Sequence, residues 1–200
     1  MRTLCIVTRC HPNRPNMLRF CVDSVKSQTC DDYEHFLLHD DETENGYGVY
    51  KANKALHDAG PLNGEYIMVL DDDDYLLYND FVLEFKKLVS KDKPDIVMLR
   101  GNVARSNVLP PDDVWQKPPQ RAKIGSFCFA VRKEVWDKYI KFWDNSEGFA
   151  SMGDYTFINK CYHNVTTVYW MDKLVACTQR VSRGAGESKL NGGQDERTSG

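Results

Sequence analysis

Positions 71–74 are four consecutive aspartates, and they end an apolar run, Tyr66-Ile67-Met68-Val69-Leu70. Adjacent carboxylates repel one another, so a fold that gathers them needs a compensating cation. Hard divalent ions such as Mg²⁺ and Mn²⁺ take carboxylate oxygens and commonly complete their shells with phosphate. Taken alone, an acidic run reads more simply as a solvated turn. Its setting favours chemistry here, because the run before it has the length and bulk of a buried strand. Asp40 and Asp41 follow a second apolar stretch, and Arg9 and Arg14 follow a third. Acids and arginines gathered in this way describe a site for a metal-bound anion.

The elements that must position them can be read from spacing. Thr3 to Thr8 has strand character, and Pro15 suits the first turn of a helix carrying Met17, Leu18, Cys21, Val22 and Val25. Phe36–Leu38 forms a second short strand. Val49, Ala52, Leu56 and Ala59 share one helical face, with Gly60 near the C-cap. Asn53 lies on that same face, where a buried amide satisfying its surroundings and a ligand contact are both open. After the aspartates, Asn79 or Asp80 suits the cap of a helix bearing Phe81, Val82, Phe85, Leu88 and Val89, and Asp95–Leu99 is a strand.

This alternation implies an α/β fold with a mostly parallel central sheet flanked by helices on both faces. Ligands of such sheets sit beyond the carboxyl ends of the strands. Thr8-Arg9, Asp40-Asp41 and Asp71–Asp74 are therefore expected on one rim. Residues 101–123, with Trp115, two Pro-Pro pairs and several basic groups, read as a long loop, either functional or disordered. Ser126–Val131 reads as a strand, and a helix with Val135, Trp136, Tyr139, Ile140 and Trp143 follows. Asp154 suits the N-cap of a helix bearing Phe157, Ile158 and Cys161. Val165–Trp170 and Leu174–Thr178 read as two closing strands.

Two hundred residues with 42% apolar and 28% charged content suit one globular domain. A net charge of -3 argues against a nucleic-acid coat or a membrane-surface binder. Seven cysteines without metal-ligand spacing point to reduced, mostly structural thiols. No stretch approaches the ~20 apolar residues of a membrane span, and a soluble, cytoplasmic protein is expected. Residues 184–200, rich in Gly, Ser and charge, are expected to be a flexible tail or a lid.

In order along the chain, these landmarks resemble a family 2 GT-A glycosyltransferase. Val7-Thr8-Arg9-Cys10-His11-Pro12 stands where the family has its first Thr-Tyr-Asn-Arg-Pro-like loop. His39-Asp40-Asp41-Glu42-Thr43 stands for its Val-Asp-Asp-Gly-Ser, and Lys51-Ala52-Asn53 for its Arg-Asn step. Gly64 to Asp74 is similar to its Gly-Glu-Tyr-Ile…Leu-Asp-x-Asp-Asp, the DXD element. Met152-Gly153-Asp154-Tyr155 occupies the place of its Glu-Asp motif, and Gln179-Arg180-Val181 that of its Tyr-Arg-Val. The departures are Cys10 at an aromatic position, Gly153 at an acidic one, and Ser182-Arg183 where a histidine is common.

The resemblance implies a single GT-A (Rossmann-like) domain over residues 1–183, with a nucleotide-binding half (1–100) and an acceptor and catalytic half (101–183). It implies a metal-dependent, inverting transfer of a sugar from a nucleotide-diphosphate donor, UDP-linked in the first instance, to an acceptor hydroxyl. Asp73 is then the protein ligand of Mn²⁺ or Mg²⁺, and Asp71 or Asp72 reaches the ribose or a metal-bound water. Thr8 with Asp41, or Asp40 instead, reads the base, and Arg9 joins the donor contacts. Arg180 and Arg183 clamp the diphosphate, and Asp154 is the general base. The acceptor stays open among glycan, lipid, protein and modified nucleic acid, as does the oligomeric state. Two other functions fit the acidic cluster: a non-catalytic nucleotide-sugar or glycan binder, and a Mg²⁺-dependent nucleotidyltransferase.

Overall fold

Leu4 to Val7 are fully buried because their strand, β1 (Arg2–Cys10), runs inside the sheet between two parallel neighbours. These are β2 (Tyr33–His39) and β3 (Gly64–Val69). A strand covered on both faces cannot alternate polar and apolar residues, which is why it reads as a continuous apolar run. In a computed structural model, residues 1–39, 49–103, 107–143 and 152–179 are described. Asp40, Asp41, Arg180 and Arg183, and the tail expected at 184–200, lie outside the described residues.

The remaining strands are β4 (Asp74–Leu76), β5 (Ile96–Val103), β6 (Asn107–Leu109), β7 (Phe129–Arg132) and β8 (Val168–Thr178). They complete one mixed sheet in the order β2-β1-β3-β7-β5-β8-β4, with β6 as a hairpin on β5. β2-β1-β3 and β5-β8 pair in parallel, and β7 runs antiparallel between β3 and β5. The helices are α1 (Pro15–Lys26), α2 (Val49–Asp58), α3 (Phe81–Asp92), α4 (Lys133–Tyr139) and α5 (Gly153–Tyr162). The α/β architecture expected from the alternation is present. Pro15 opens α1 as expected, where its missing N–H costs nothing.

Four local expectations differ. Ser126–Cys128 is a turn of 3-10 helix before β7, closed by the Cys128 amide donating to Gly125 O. The two closing strands form one strand, β8, with two register shifts against β5: Met98 pairs Trp170, Arg100 pairs Leu174 and Gly101 pairs Ala176. Within this irregular stretch Asp172 Oδ1 accepts Arg100 Nη1 at 2.8 Å. Asp80 precedes α3 without capping it; its carboxylate accepts the Thr29 hydroxyl instead. Residues 101–123 hold β6 and a 3-10 turn, Asp112–Val114, rather than one irregular loop. All seven cysteines are free.

The topology fixes a rim. The carboxyl ends of β1, β3, β5 and β8 and the amino ends of the antiparallel β4 and β7 all lie on one side of the sheet. Arg9, Asp71 to Asp74, Ser126 and Thr178 therefore meet at one edge.

Candidate active site

The four aspartates carry different contacts. Asp71 is held by the Arg9 fork: Nε donates to Oδ1 and Nη2 to Oδ2, each at 2.6 Å. The Ser126 hydroxyl adds a hydrogen bond to Oδ2 at 3.0 Å. Asp72, 2% exposed, accepts the His11 amide at 2.6 Å and Arg14 Nη1 at 3.0 Å. It thus fastens the loop between β1 and α1 to the end of β3. Asp74, 3% exposed, accepts the Thr178 hydroxyl at 2.6 Å, joining the start of β4 to the end of β8. Asp73 is more exposed than Asp72 and pairs with the same Arg14 nitrogen at 3.1 Å.

Electrostatics separates them further. Burial pushes the Asp71 carboxyl up, but the Arg9 charge and hydrogen bonds outweigh it and hold the group below the ordinary carboxylate range. Burial raises Asp72 to about 7 against the His11 hydrogen bond. Burial and the Asp71 charge raise Asp73 to about 6. Burial, then Asp73 and Asp71, raise Asp74 well above the usual value. Two guanidiniums contact three of the four carboxylates, Asp71, Asp72 and Asp73, which leaves the cluster short of positive charge.

One oxygen from each of Asp71, Asp73 and Asp74 lies within 4.8 Å of the others. An all-oxygen, charge-deficient set of this kind suits a hard divalent ion such as Mg²⁺ or Mn²⁺. The residues present fit the metal that the resemblance implies.

Asp154 lies in the first turn of α5, after the N-cap residue Met152, and is half-buried. An acid there is favoured by the helix dipole. Its Oδ1 accepts the Tyr155 amide at 2.7 Å. Burial pushes the Cys128 thiol up, and the charges of Asp154 and Asp74 act in the same direction.

The other expected contact residues are placed as follows. Thr8 is fully buried; its hydroxyl donates to Leu70 O and meets His35 Nε2, both at 2.8 Å, with Cys21 Sγ at 3.7 Å. It locks β1 to β2 and to the end of β3. Arg9 has its nitrogens on Asp71 and on Asn53 Oδ1 (2.7 Å) and lies over the Trp143 ring, so it braces the site. Asn53 accepts from Arg9 and from Trp143 Nε1. Asp40, Asp41, Arg180 and Arg183 are among the undescribed residues.

Ser126 and Thr178 were not anticipated. A lone hydroxyl beside an apolar run carries no spacing signal, and only the pairing of β4 with β8 brings Thr178 to Asp74.

No family model and no curated protein matches the chain by sequence. Solved structures do match its fold. TarS of S. aureus aligns with a TM-score of 0.65 at 13% identity, covering 89% of this chain and 37% of that one. TarS 1–349 in complex with UDP aligns with a TM-score of 0.64 at 15% identity, over 89% and 60%. The mannosyltransferase PcManGT from Pyrobaculum calidifontis, in complex with GDP-Man and Mn²⁺, aligns with a TM-score of 0.59 at 14% identity, over 92% and 59%. The chain spans only 37% to 60% of the length of these three structures. No helix among the described residues is long and apolar enough to cross a membrane. The architecture is that of the GT-A-type glycosyltransferase structures.

Proposed function

We propose that this protein is a metal-dependent, inverting glycosyltransferase using a nucleotide-diphosphate sugar, with a UDP-sugar as the first candidate. The observation that carries this reading is the triad Asp71, Asp73 and Asp74 at the carboxyl rim of a GT-A-type sheet. UDP in TarS, and GDP-Man with Mn²⁺ in the mannosyltransferase, support a nucleotide-sugar donor.

In this reading Asp73, with Asp71 or Asp74, holds Mn²⁺ or Mg²⁺, which supplies Lewis-acid stabilisation to the diphosphate leaving group. Arg9 keeps Asp71 ionised and oriented. Asp72 and Arg14 hold the first loop against the donor's side of the site, and Asp154 accepts the proton of the attacking hydroxyl as the sugar carbon inverts. Asp40, Asp41, Arg180 and Arg183 remain candidates for base and diphosphate contacts.

The test is hydrolysis of UDP-glucose, UDP-GlcNAc and GDP-mannose by purified protein, with Mn²⁺ or with EDTA. Turnover that needs Mn²⁺ and falls at least ~100-fold in Asp154→Asn is expected. Nucleotide-sugar binding with no turnover from any donor would instead make the protein a binder, and unchanged turnover in Asp154→Asn would remove the proposed base.

A further inference from the structure

We infer that Asn53 is a positioning residue that ties the carboxylate cluster to the helix bearing Asp154; the inference rests on the proposed role of Asp154. Asn53 Oδ1 accepts Arg9 Nη1 at 2.7 Å and Trp143 Nε1 at 3.1 Å. An amide oxygen has two lone pairs, and these two donors fill them. On one side, Arg9 grips Asp71 through its other two nitrogens. On the other, the Trp143 indole edge lies against Gly153: a Cβ there would stand 2.5 Å from Trp143 Cδ1 and 2.9 Å from Asn53 Nδ2. Asp154 is the next residue.

A continuous path thus runs from Asp71 through Arg9, Asn53, Trp143 and Gly153 to Asp154. His57, also on α2, reaches the Trp143 carbonyl and adds a second anchor. Asn53 and Trp143 are each 1% exposed. A polar network in so dry a place is stiff, and removing the Asn53 oxygen takes this acceptor from both Arg9 Nη1 and Trp143 Nε1. A general base acts only within hydrogen-bond reach of its proton, so the placement of α5 governs turnover more than donor affinity.

The test compares Asn53→Leu, similar in shape without an acceptor, with Asn53→Asp, which keeps one. Both are assayed as the full chain with Mn²⁺ and the nucleotide sugar that the native protein hydrolyses fastest, and by amide hydrogen exchange. Asn53→Leu is expected to lower kcat roughly 10–100-fold, with donor KM within about twofold. Exchange over residues 155–158 should speed at least ~10-fold, while Asn53→Asp stays near native in both readouts.

A raised KM at unchanged kcat overturns the inference in favour of direct substrate contact. Equal losses in both variants overturn it in favour of general destabilisation. If Asn53→Leu does not fold, Trp143→Phe removes the Nε1–H and keeps a ring, with the same two expectations. Absence of any turnover in the native protein would sink the catalytic reading alone. In that case unchanged exchange in Asn53→Leu also overturns the link, and loosened exchange restored by Asn53→Asp supports it.

Discussion

Arg9 grips Asp71 with two parallel hydrogen bonds of 2.6 Å, and both side chains lie mostly out of solvent. This pair joins the ends of the neighbouring parallel strands β1 and β3. It also sets the charge of the acidic cluster, because it keeps one aspartate ionised beside others whose carboxyls are raised.

Arg9→Met leaves a buried carboxylate without its cation. A loss of roughly 3–5 kcal/mol in unfolding free energy is expected by denaturant titration. The double substitution Arg9→Met/Asp71→Asn should recover part of that loss, because the stranded charge goes too. A double mutant no more stable than Arg9→Met would show that the pair is not the dominant interaction there.

Asp72 and Asp73 are adjacent but should respond oppositely to substitution. Asp73→Asn is expected to weaken Mn²⁺ binding at least ~10-fold in calorimetric titration, with a small effect on melting, since Asp73 is the less buried of the two. Asp72→Asn is expected to lower stability by about 1–3 kcal/mol, through the lost clamp on His11 and Arg14, while Mn²⁺ affinity changes little. Reversed outcomes would exchange the two roles.

His35 gives a stability signal in mild acid. Burial lowers its pKa to about 4, with the nearby Lys26 charge acting in the same direction. The unfolded chain takes up the proton near pH 6.5, whereas the folded protein stays neutral until near pH 4. The stabilisation is therefore complete above about pH 6.5, falls as pH drops toward 4, and is flat below that. The whole effect is at most about 3 kcal/mol. The difference between native and His35→Gln unfolding curves from pH 4 to 8 isolates it from the carboxylates, and a pH-independent difference would rule it out.

Gly153 stands where the resembled family has an acidic residue, and packing gives a reason. A side chain there would enter the Trp143 indole and the Asn53 amide. Gly153→Ala is expected to destabilise by roughly 1–3 kcal/mol, and Gly153→Glu by more. Thermal unfolding checks this, and native stability in Gly153→Glu would mean that the indole moves aside freely.

Several features of this molecule were legible in the chain because they are local. The apolar run Tyr66–Leu70 announced a strand buried on both faces, Pro15 announced the start of α1, and the order of strands and helices announced an α/β sheet with an acidic rim at its carboxyl ends. The gathering of acids at that rim followed from the same order, so sequence by itself located the candidate site. It could not divide the labour among the four aspartates, because neighbouring identical residues differ only in what comes from far along the chain to meet them. Asp71 meets Arg9 and Ser126, Asp72 meets His11, Asp73 shares Arg14, and Asp74 meets Thr178. Those partners lie 55 to 104 positions away for Ser126 and Thr178 alone. The same holds for Thr8, whose hydroxyl meets His35 because β1 pairs with β2. Composition and periodicity fix which faces are apolar and where strands end; strand pairing and close packing decide which polar groups are consumed in holding the fold and which stay available to a ligand.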